Sequence, residues 1–279
     1  MTLVTPLFAD EPTQGLTKYP VDLFTFCGLP INNSMISAAV ATLIIIIVVQ
    51  VAMRAPKLIP SGMQNFVEWV VELLSNFLEN NLGRATMQRG FWYFGGLFVF
   101  ILVCNLLGLV PGVGTIGYGQ EVNGHFEVTQ PFLRGANADV NLTAAYTAIY
   151  FFMFFYWCIR QLGLGGLLYH IFGSKVKFPN PIVNYIFIFI FFMVGWVEIF
   201  SIFIVRPIAF PFRLYGNIFG GEFLLDSIYR MWPAGAFITL VPFYFYECLV
   251  AVVQALVFFM LTAAFTGIFT NAEDHHTEH

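Results

Sequence analysis

Two arginines lie inside an apolar segment in the last third of the chain. Arg206 and Arg213 are seven residues apart, within a stretch that runs from Val205 to Asn217 and is flanked by apolar residues on both sides. A guanidinium at the centre of a membrane helix costs about 2.5–3.5 kcal/mol on insertion scales. It keeps its charge there, because arginine does not deprotonate in proteins. Such a charge must therefore have a partner that compensates it or take part in the function of the protein.

Acids and amides accompany the two arginines in the same apolar runs. They are Glu198, Asn217, Glu222, Asp226, Glu247 and Gln254. Ionisable residues inside membrane helices mark ion and proton pathways, although single ones also serve to pair helices. Carboxylates can relay protons, whereas an arginine cannot. The set therefore indicates proton transfer along a line of acids, with a fixed cation as a barrier to leakage.

The spacing of these residues separates the cation from the acids. Arg213 and Glu222 are nine residues apart, so on a helix they point in nearly opposite directions and lie about 13 Å apart along the axis. They should not pair with each other. Glu222 and Asp226 are one helical turn apart, and Glu247 and Gln254 are two turns apart on one face of the next helix.

The composition is that of an integral membrane protein. Of 279 residues, 58% are hydrophobic and only 10% are charged, compared with about 25% charged in soluble domains. No basic surface suggests nucleic acid, and no signal peptide is expected in residues 1–30. The four cysteines are scattered and are expected to be free thiols: Cys27, Cys104, Cys158 and Cys248.

Long apolar runs define the elements that must position these residues. We expect an N-terminal extramembrane arm over 1–33 and a single membrane domain over 34–279. Within that domain the predicted elements are spans at 34–53, 91–110 and 141–159, an amphipathic helix at 61–82, a Gly-rich non-helical loop at 111–140, and long helices at 181–230 and 234–270. The expected fold is all-α, with about five transmembrane crossings plus an interfacial amphipathic helix.

The last two runs are too long for upright spans. As helices they would reach roughly 75 and 55 Å, whereas a hydrocarbon core is about 30 Å thick. They must either lie strongly tilted or break at Pro207, Pro211 and Pro242. A long, strongly tilted helical hairpin is the economical prediction.

The segment 61–82 has two distinct faces. Ser61 with Gln64 resembles a capping box. Glu68, Glu72 and Glu79 lie opposite an apolar face. Two interpretations stay open, because the apolar face suits both the membrane interface and the surface of another subunit.

The distribution of basic residues predicts the orientation. Segments 54–89 and 160–177 are rich in Lys and Arg, whereas the loop 111–140 carries only Arg134. By the positive-inside rule, the N-terminus lies outside and the C-terminus in the cytoplasm, most simply in a bacterial inner (plasma) membrane. The chain shows no internal repeat, so an inverted-repeat transporter is not indicated.

One motif resembles a known family. The sequence Arg213-Leu-Tyr-Gly-Asn217-Ile-Phe-Gly-Gly-Glu222 resembles the pattern of subunit a of F-type ATP synthase, the membrane stator beside the rotating c-ring. The segments 105–111, 138–143 and 247–254 support the likeness and occur in the family's order. The arginine motif is the specific one.

The resemblance implies a role for each residue. Arg213 is implied to be the stator arginine that faces the c-ring carboxylate, and Glu222, Glu247 and Asp226 to belong to an access channel. The remaining implied pathway residues are Asn217, Gln254, Asn105 and Glu198, with Arg206 secondary. The distance of Glu198 to the motif differs by one residue from that in the family. Some members carry His where Glu222 or Glu247 stands, and an acid where Gly108 stands.

The resemblance also implies partners. These are the c-ring, the subunit b peripheral stalk, the remaining ATP synthase subunits and membrane lipids, with no cofactor and no ATP-hydrolysing site in this chain. The main alternative is a stand-alone cation/proton antiporter. A haem-binding redox subunit would need paired histidines in spans, and only His170 lies near one. The histidines of the C-terminal tail, His275, His276 and His279, are expected to be disordered rather than to bind a metal.

Overall fold

The computed structural model of the chain describes residues 20–26, 28–114, 116–122, 125–173, 181–231 and 235–270. Most of the N-terminal arm, Cys27 and the histidines of the C-terminal tail lie outside these residues. Expectations about them therefore stay predictions.

Helices make up nearly all of the described membrane domain. They are α1 (Asn33–Ala52), α2 (Met63–Leu82), α3 (Arg84–Gly108), α4 (Val140–Phe172), α5 (Pro181–Phe200), α6 (Arg206–Met231) and α7 (Ala236–Thr270). Within the described residues, five helical stretches are long and apolar enough to cross a membrane. The all-α membrane fold predicted from the sequence is thus confirmed.

Two small antiparallel hairpins lie outside the helices. Strands β1 (Asp22–Phe26) and β2 (Leu29–Asn32) pair in the N-terminal arm, and β3 (Gly117–Val122) and β4 (His125–Pro131) pair in the loop between α3 and α4. A short 3₁₀ turn, Ala136–Ala138, then leads into α4. The sequence predicted this loop to be non-helical but did not reveal its hairpin.

The long run before the C-terminal helix stays helical at its prolines. Pro211 lies inside α6 and Pro242 inside α7, and Pro207, the second residue of α6, follows the π-helical segment Ser201–Val205 without a break in the helix. The alternative of a break at these prolines is therefore wrong. A π-helical segment, Ser201–Val205, joins α5 to α6 instead. Because the apolar stretch Ile182–Tyr229 spans 48 residues, or about 72 Å, it must be strongly tilted in a bilayer.

Helix α4 extends beyond its predicted end at residue 159. It continues to Phe172 across Gly163, whose φ of 67° interrupts the helical geometry. Positive φ is accessible to glycine at little cost. The basic residue Arg160 does not end the helix, since its guanidinium donates to the Tyr156 hydroxyl at 2.6 Å on the exposed side.

The start of α2 differs from the predicted capping box. Gly62 is the N-cap residue and no side chain caps the helix. Gln64 reaches back instead, accepting from the Lys57 N–H at 3.1 Å and donating to the Lys57 carbonyl at 2.9 Å. The capping box was wrong because the loop before Gly62 folds over the first turn and supplies backbone partners for Gln64.

The core lies where α2, α3, α4, α6 and α7 meet. Leu78 of α2, Phe94 and Ile101 of α3, Tyr150 of α4 and Leu214 of α6 are nearly inaccessible to solvent. Helix α2 thus buries one apolar stripe inside this chain, while Phe66, Trp69 and Leu73 remain exposed. Cys104, Cys158 and Cys248 are free thiols.

Candidate functional site

Helix α6 presents its arginine and its glutamate on different sides. Arg213 and Asn217 are exposed, whereas Leu214 and Ile218, the next residues around the helix, are buried against the bundle. Glu222 turns inward, and its Oε2 atom is inaccessible to solvent. The separation expected from a spacing of nine residues is therefore present in the structure.

Glu222 occupies a crevice made by glycines. Its carboxylate lies against the backbone of Gly135, since a Cβ at Gly135 would overlap Oε1 of Glu222. A Cβ at Gly108 of α3 would meet the backbone of Gly135 at 2.9 Å. Only glycine at these two positions leaves room for the carboxylate between α3, the outer loop and α6.

Glu247 lies next to this crevice on α7. It is 4% exposed, and its carboxylate fills the space that a side chain at Gly221 would need. Glu222 and Glu247 interact electrostatically. The structure thus brings together the two acids that the sequence placed on different helices.

Amide side chains form hydrogen bonds between the helices that surround the acids. Asn217 Nδ2 donates to Gln254 Oε1 at 2.6 Å, which joins α6 to α7. Asn105 Nδ2 donates to the Ala251 carbonyl at 2.9 Å, which joins α3 to α7. Three predicted polar residues of the pathway therefore make direct contacts between helices.

Arg206 has a partner of its own. Its guanidinium carbon lies 3.9 Å from the centre of the Phe265 ring, within the range of a cation–π interaction. It also interacts electrostatically with Glu198 of α5. Asp226 is half-buried one turn beyond Glu222.

The π-helical segment Ser201–Val205 lies between Glu198 and Arg213. A π-bulge adds one residue to a helix.

Three buried polar residues were missed from the sequence. Asn137 Nδ2 donates to Asn105 Oδ1, and the Tyr146 hydroxyl donates to Asn137 Oδ1. Arg134, counted above only for orientation, is 3% exposed. Asn137 directly precedes the segment 138–143, but Arg134 lies four residues before it, and polar residues in a loop give no sign of burial.

The described residues contain no group of three His, Cys, Asp or Glu side chains able to hold a metal ion. Glu222 and Glu247, two acids on adjacent helices that interact electrostatically, can accept and release protons.

Comparisons with known proteins identify the family of the chain. The family model described as ATP synthase A chain matches residues 35–267. An ATP synthase subunit a of Solidesulfovibrio magneticus is 30% identical over 91% of this chain and 91% of its own length. ATP synthase subunit a 1 of Photobacterium profundum is 28% identical over 95% of each chain.

A further ATP synthase subunit a, from Anaeromyxobacter sp., is 29% identical over 86% of this chain. The chain spans 54% of the length of that relative. Since the family model covers most of the chain and the relatives agree with it, the chain belongs to the ATP synthase subunit a family.

Proposed function

We propose that this chain is the proton-translocating stator subunit of a bacterial F-type ATP synthase. Two offset half-channels load and unload carboxylates of a c-ring and so couple proton flow to rotation and ATP synthesis. The observation that supports this best is the division of α6, which exposes Arg213 and Asn217 on one side and buries Glu222 on the other.

The outer half-channel runs through the crevice of Glu222, Asp226 and Glu247. A proton passes from these acids, past Asn217 and Gln254, to a c-ring carboxylate that has reached the exposed side of α6. The neutralised carboxyl group can then enter lipid, since the cost of burying its charge is removed. Glu198 and Arg206 line the route by which the proton later leaves toward the cytoplasm.

Arg213 separates the two routes. It cannot carry a proton, but it attracts an ionised carboxylate with an energy of about 4 kcal/mol at 4 Å and an effective dielectric constant near 20. The c-ring is therefore the partner that Arg213 requires. The peripheral stalk of subunit b and the other ATP synthase subunits complete the assembly.

Replacing Arg213 by alanine in the assembled complex tests this function. We expect ATP-driven proton pumping into inverted membrane vesicles to be abolished, while Arg84→Ala, which removes an arginine side chain that is 78% exposed at the start of α3, leaves pumping intact. Pumping retained by Arg213→Ala would refute the mechanism. Cation/proton exchange by the purified chain alone in liposomes would support the antiporter instead.

A further inference from the structure

The outer loop buries a cation that the proton pathway described above does not use. Arg134 lies between β4 and the 3₁₀ turn and is 3% exposed. Among the described residues, none of its three guanidinium nitrogens has a hydrogen-bond partner. A guanidinium carries five N–H donors, and burying them unpaired is strongly unfavourable. These donors therefore need an acceptor nearby.

The closest acceptor of opposite charge is Glu222. The guanidinium carbon of Arg134 lies 5.9 Å from the centre of the Phe219 ring, and Phe219 and Glu222 share a face of α6 because they are three residues apart. Arg134 and Glu222 attract each other electrostatically. The Oε2 atom of Glu222 is buried and lacks a hydrogen-bond partner within the described structure.

Two unsatisfied and complementary groups thus face each other in one buried space. Arg134 offers only donors and the ionised Glu222 carboxylate only acceptors, and no direct hydrogen bond joins them among the described residues. A water molecule bridging them would satisfy both groups, since it accepts from Arg134 and donates to Glu222. Gly135 leaves room for the Glu222 carboxylate itself, because a Cβ there would overlap Oε1.

Helix α1 holds Arg134 in place. The backbone N–H of Arg134 donates to Ser37 Oγ at 3.1 Å, and Ser37 Oγ donates to the Asn33 carbonyl at 3.1 Å. On the other side of the loop, Ser34 Oγ donates to Asp139 Oδ2 at 2.6 Å. The Asp139 carboxylate also accepts from the Asn141 N–H at 2.9 Å, so these contacts tie the loop around Arg134 to α1 and to the start of α4.

We propose that Arg134, fixed by Ser37, is a positioning residue for proton uptake at Glu222. The inference rests on the proposed function, in which Glu222 belongs to the outer half-channel. In this step a water molecule between the two groups accepts a proton from a hydronium ion on the outer side and passes a proton to the Glu222 carboxylate, so that neutral water is left at both places. Arg134 gains and loses no proton. It orients the carboxylate and the water by its fixed charge.

The first test compares substitutions of Arg134 in the assembled complex. We expect Arg134→Gln to lower the rate of proton-driven ATP synthesis in vesicles by about tenfold, a usual effect for charged neighbours in one network. Arg134→Lys should restore most of the rate because it keeps the charge. Arg160→Gln, which removes an exposed arginine elsewhere, should have no effect. Lysine performing as poorly as glutamine would overturn the proposal.

The second test measures whether Arg134 acts through Glu222. In a Glu222→Gln background, Arg134→Gln should reduce the remaining rate by less than about twofold, because coupled residues are not additive. Equal losses in both backgrounds would overturn the proposal. If Glu222→Gln alone left the rate unchanged, the proposed route through Glu222 would fail. If Glu222→Gln slowed transport and Arg134→Gln did not, the inference about Arg134 would fail while the proposed function stood.

A third variant covers the case in which Arg134→Gln does not assemble. Ser37→Ala removes the acceptor of the backbone N–H of Arg134. It should slow ATP synthesis in the chain that carries Glu222 but not in the Glu222→Gln background. Thr42→Ala is the matched control, because its hydroxyl bonds only within α1, to the Ala38 carbonyl at 2.9 Å. All rates are normalised to the amount of assembled complex. No difference between Ser37→Ala and Thr42→Ala would count against the proposal.

Discussion

Gly221→Ala should slow proton transport while leaving the stability of the fold nearly unchanged. Gly221 is buried on α6, and a Cβ there would overlap both carboxylate oxygens of Glu247. The atoms in the way are the far end of a flexible side chain, so the carboxylate can rotate away without moving the backbone. The substitution therefore displaces one proton-carrying group and little else.

Two opposing terms determine the effect on stability. Forcing Glu247 from its rotamer costs about 0.5–1.5 kcal/mol, whereas replacing glycine by alanine inside a helix gains about 0.8–1.0 kcal/mol. The sum lies within about 1 kcal/mol of zero. The transport rate has no such compensation, since misplacement of a reacting group by about 1 Å can cost up to 10²-fold. We expect a loss of about tenfold.

Proton-driven ATP synthesis in vesicles and thermal unfolding of the detergent-solubilised complex measure the two effects separately. Gly96→Ala is the matched control, because Gly96 is an exposed glycine inside α3 whose added Cβ would meet nothing within 4 Å. If Gly221→Ala transported protons as fast as Gly96→Ala, the assignment of Glu247 to the pathway would be refuted. A large loss of stability would show that Glu247 cannot rotate as described.

Three further comparisons of variants distinguish residues of the pathway from residues that only pack the helices. Glu222→Gln should slow proton-driven synthesis more than Asp226→Asn, because Glu222 occupies the glycine crevice; equal or reversed effects would overturn that assignment. Asn105→Leu removes a fully buried amide that bonds to α7 and should destabilise the complex by about 1–3 kcal/mol. An unchanged melting temperature would contradict this contribution of Asn105 to stability. Arg206→Gln should retain ATP-driven pumping, unlike Arg213→Ala, and a complete loss in vesicles would place Arg206 in the mechanism.

Hydrophobic length predicted the helices well because it is a local property of the chain. The predicted amphipathic helix at 61–82 is Met63–Leu82 in the structure, and the predicted span at 34–53 is Asn33–Ala52. The extension of α4 past Arg160 was missed, since a single exposed charge was taken as a helix end. The π-helical segment Ser201–Val205 was not predicted, because it has no local sequence signal.

The site was predictable only where its residues lie in apolar helices. Glu222 and Glu247 stand out from the sequence because a carboxylate among aromatic and aliphatic residues is rare. Arg134 and Asn137 do not, because polar residues are ordinary in a loop. Their burial depends on how the outer loop folds between α1, α3 and α6, and that arrangement is a tertiary property. The same holds for Gly108 and Gly135, whose role appears only with the carboxylate beside them.

Arg206 and Arg213, which a spacing of seven residues places on nearly the same side of a helix, have different environments. Arg206 lies over Phe265 and interacts with Glu198, so its charge is compensated inside the chain. Arg213, two turns further along, is exposed and makes no hydrogen bond or ion pair within the described residues. Since a permanent charge in a membrane span is costly without a partner, and Glu222 points to the opposite side of α6, the described residues supply no compensating charge for Arg213, which is why we propose that a c-ring carboxylate supplies it.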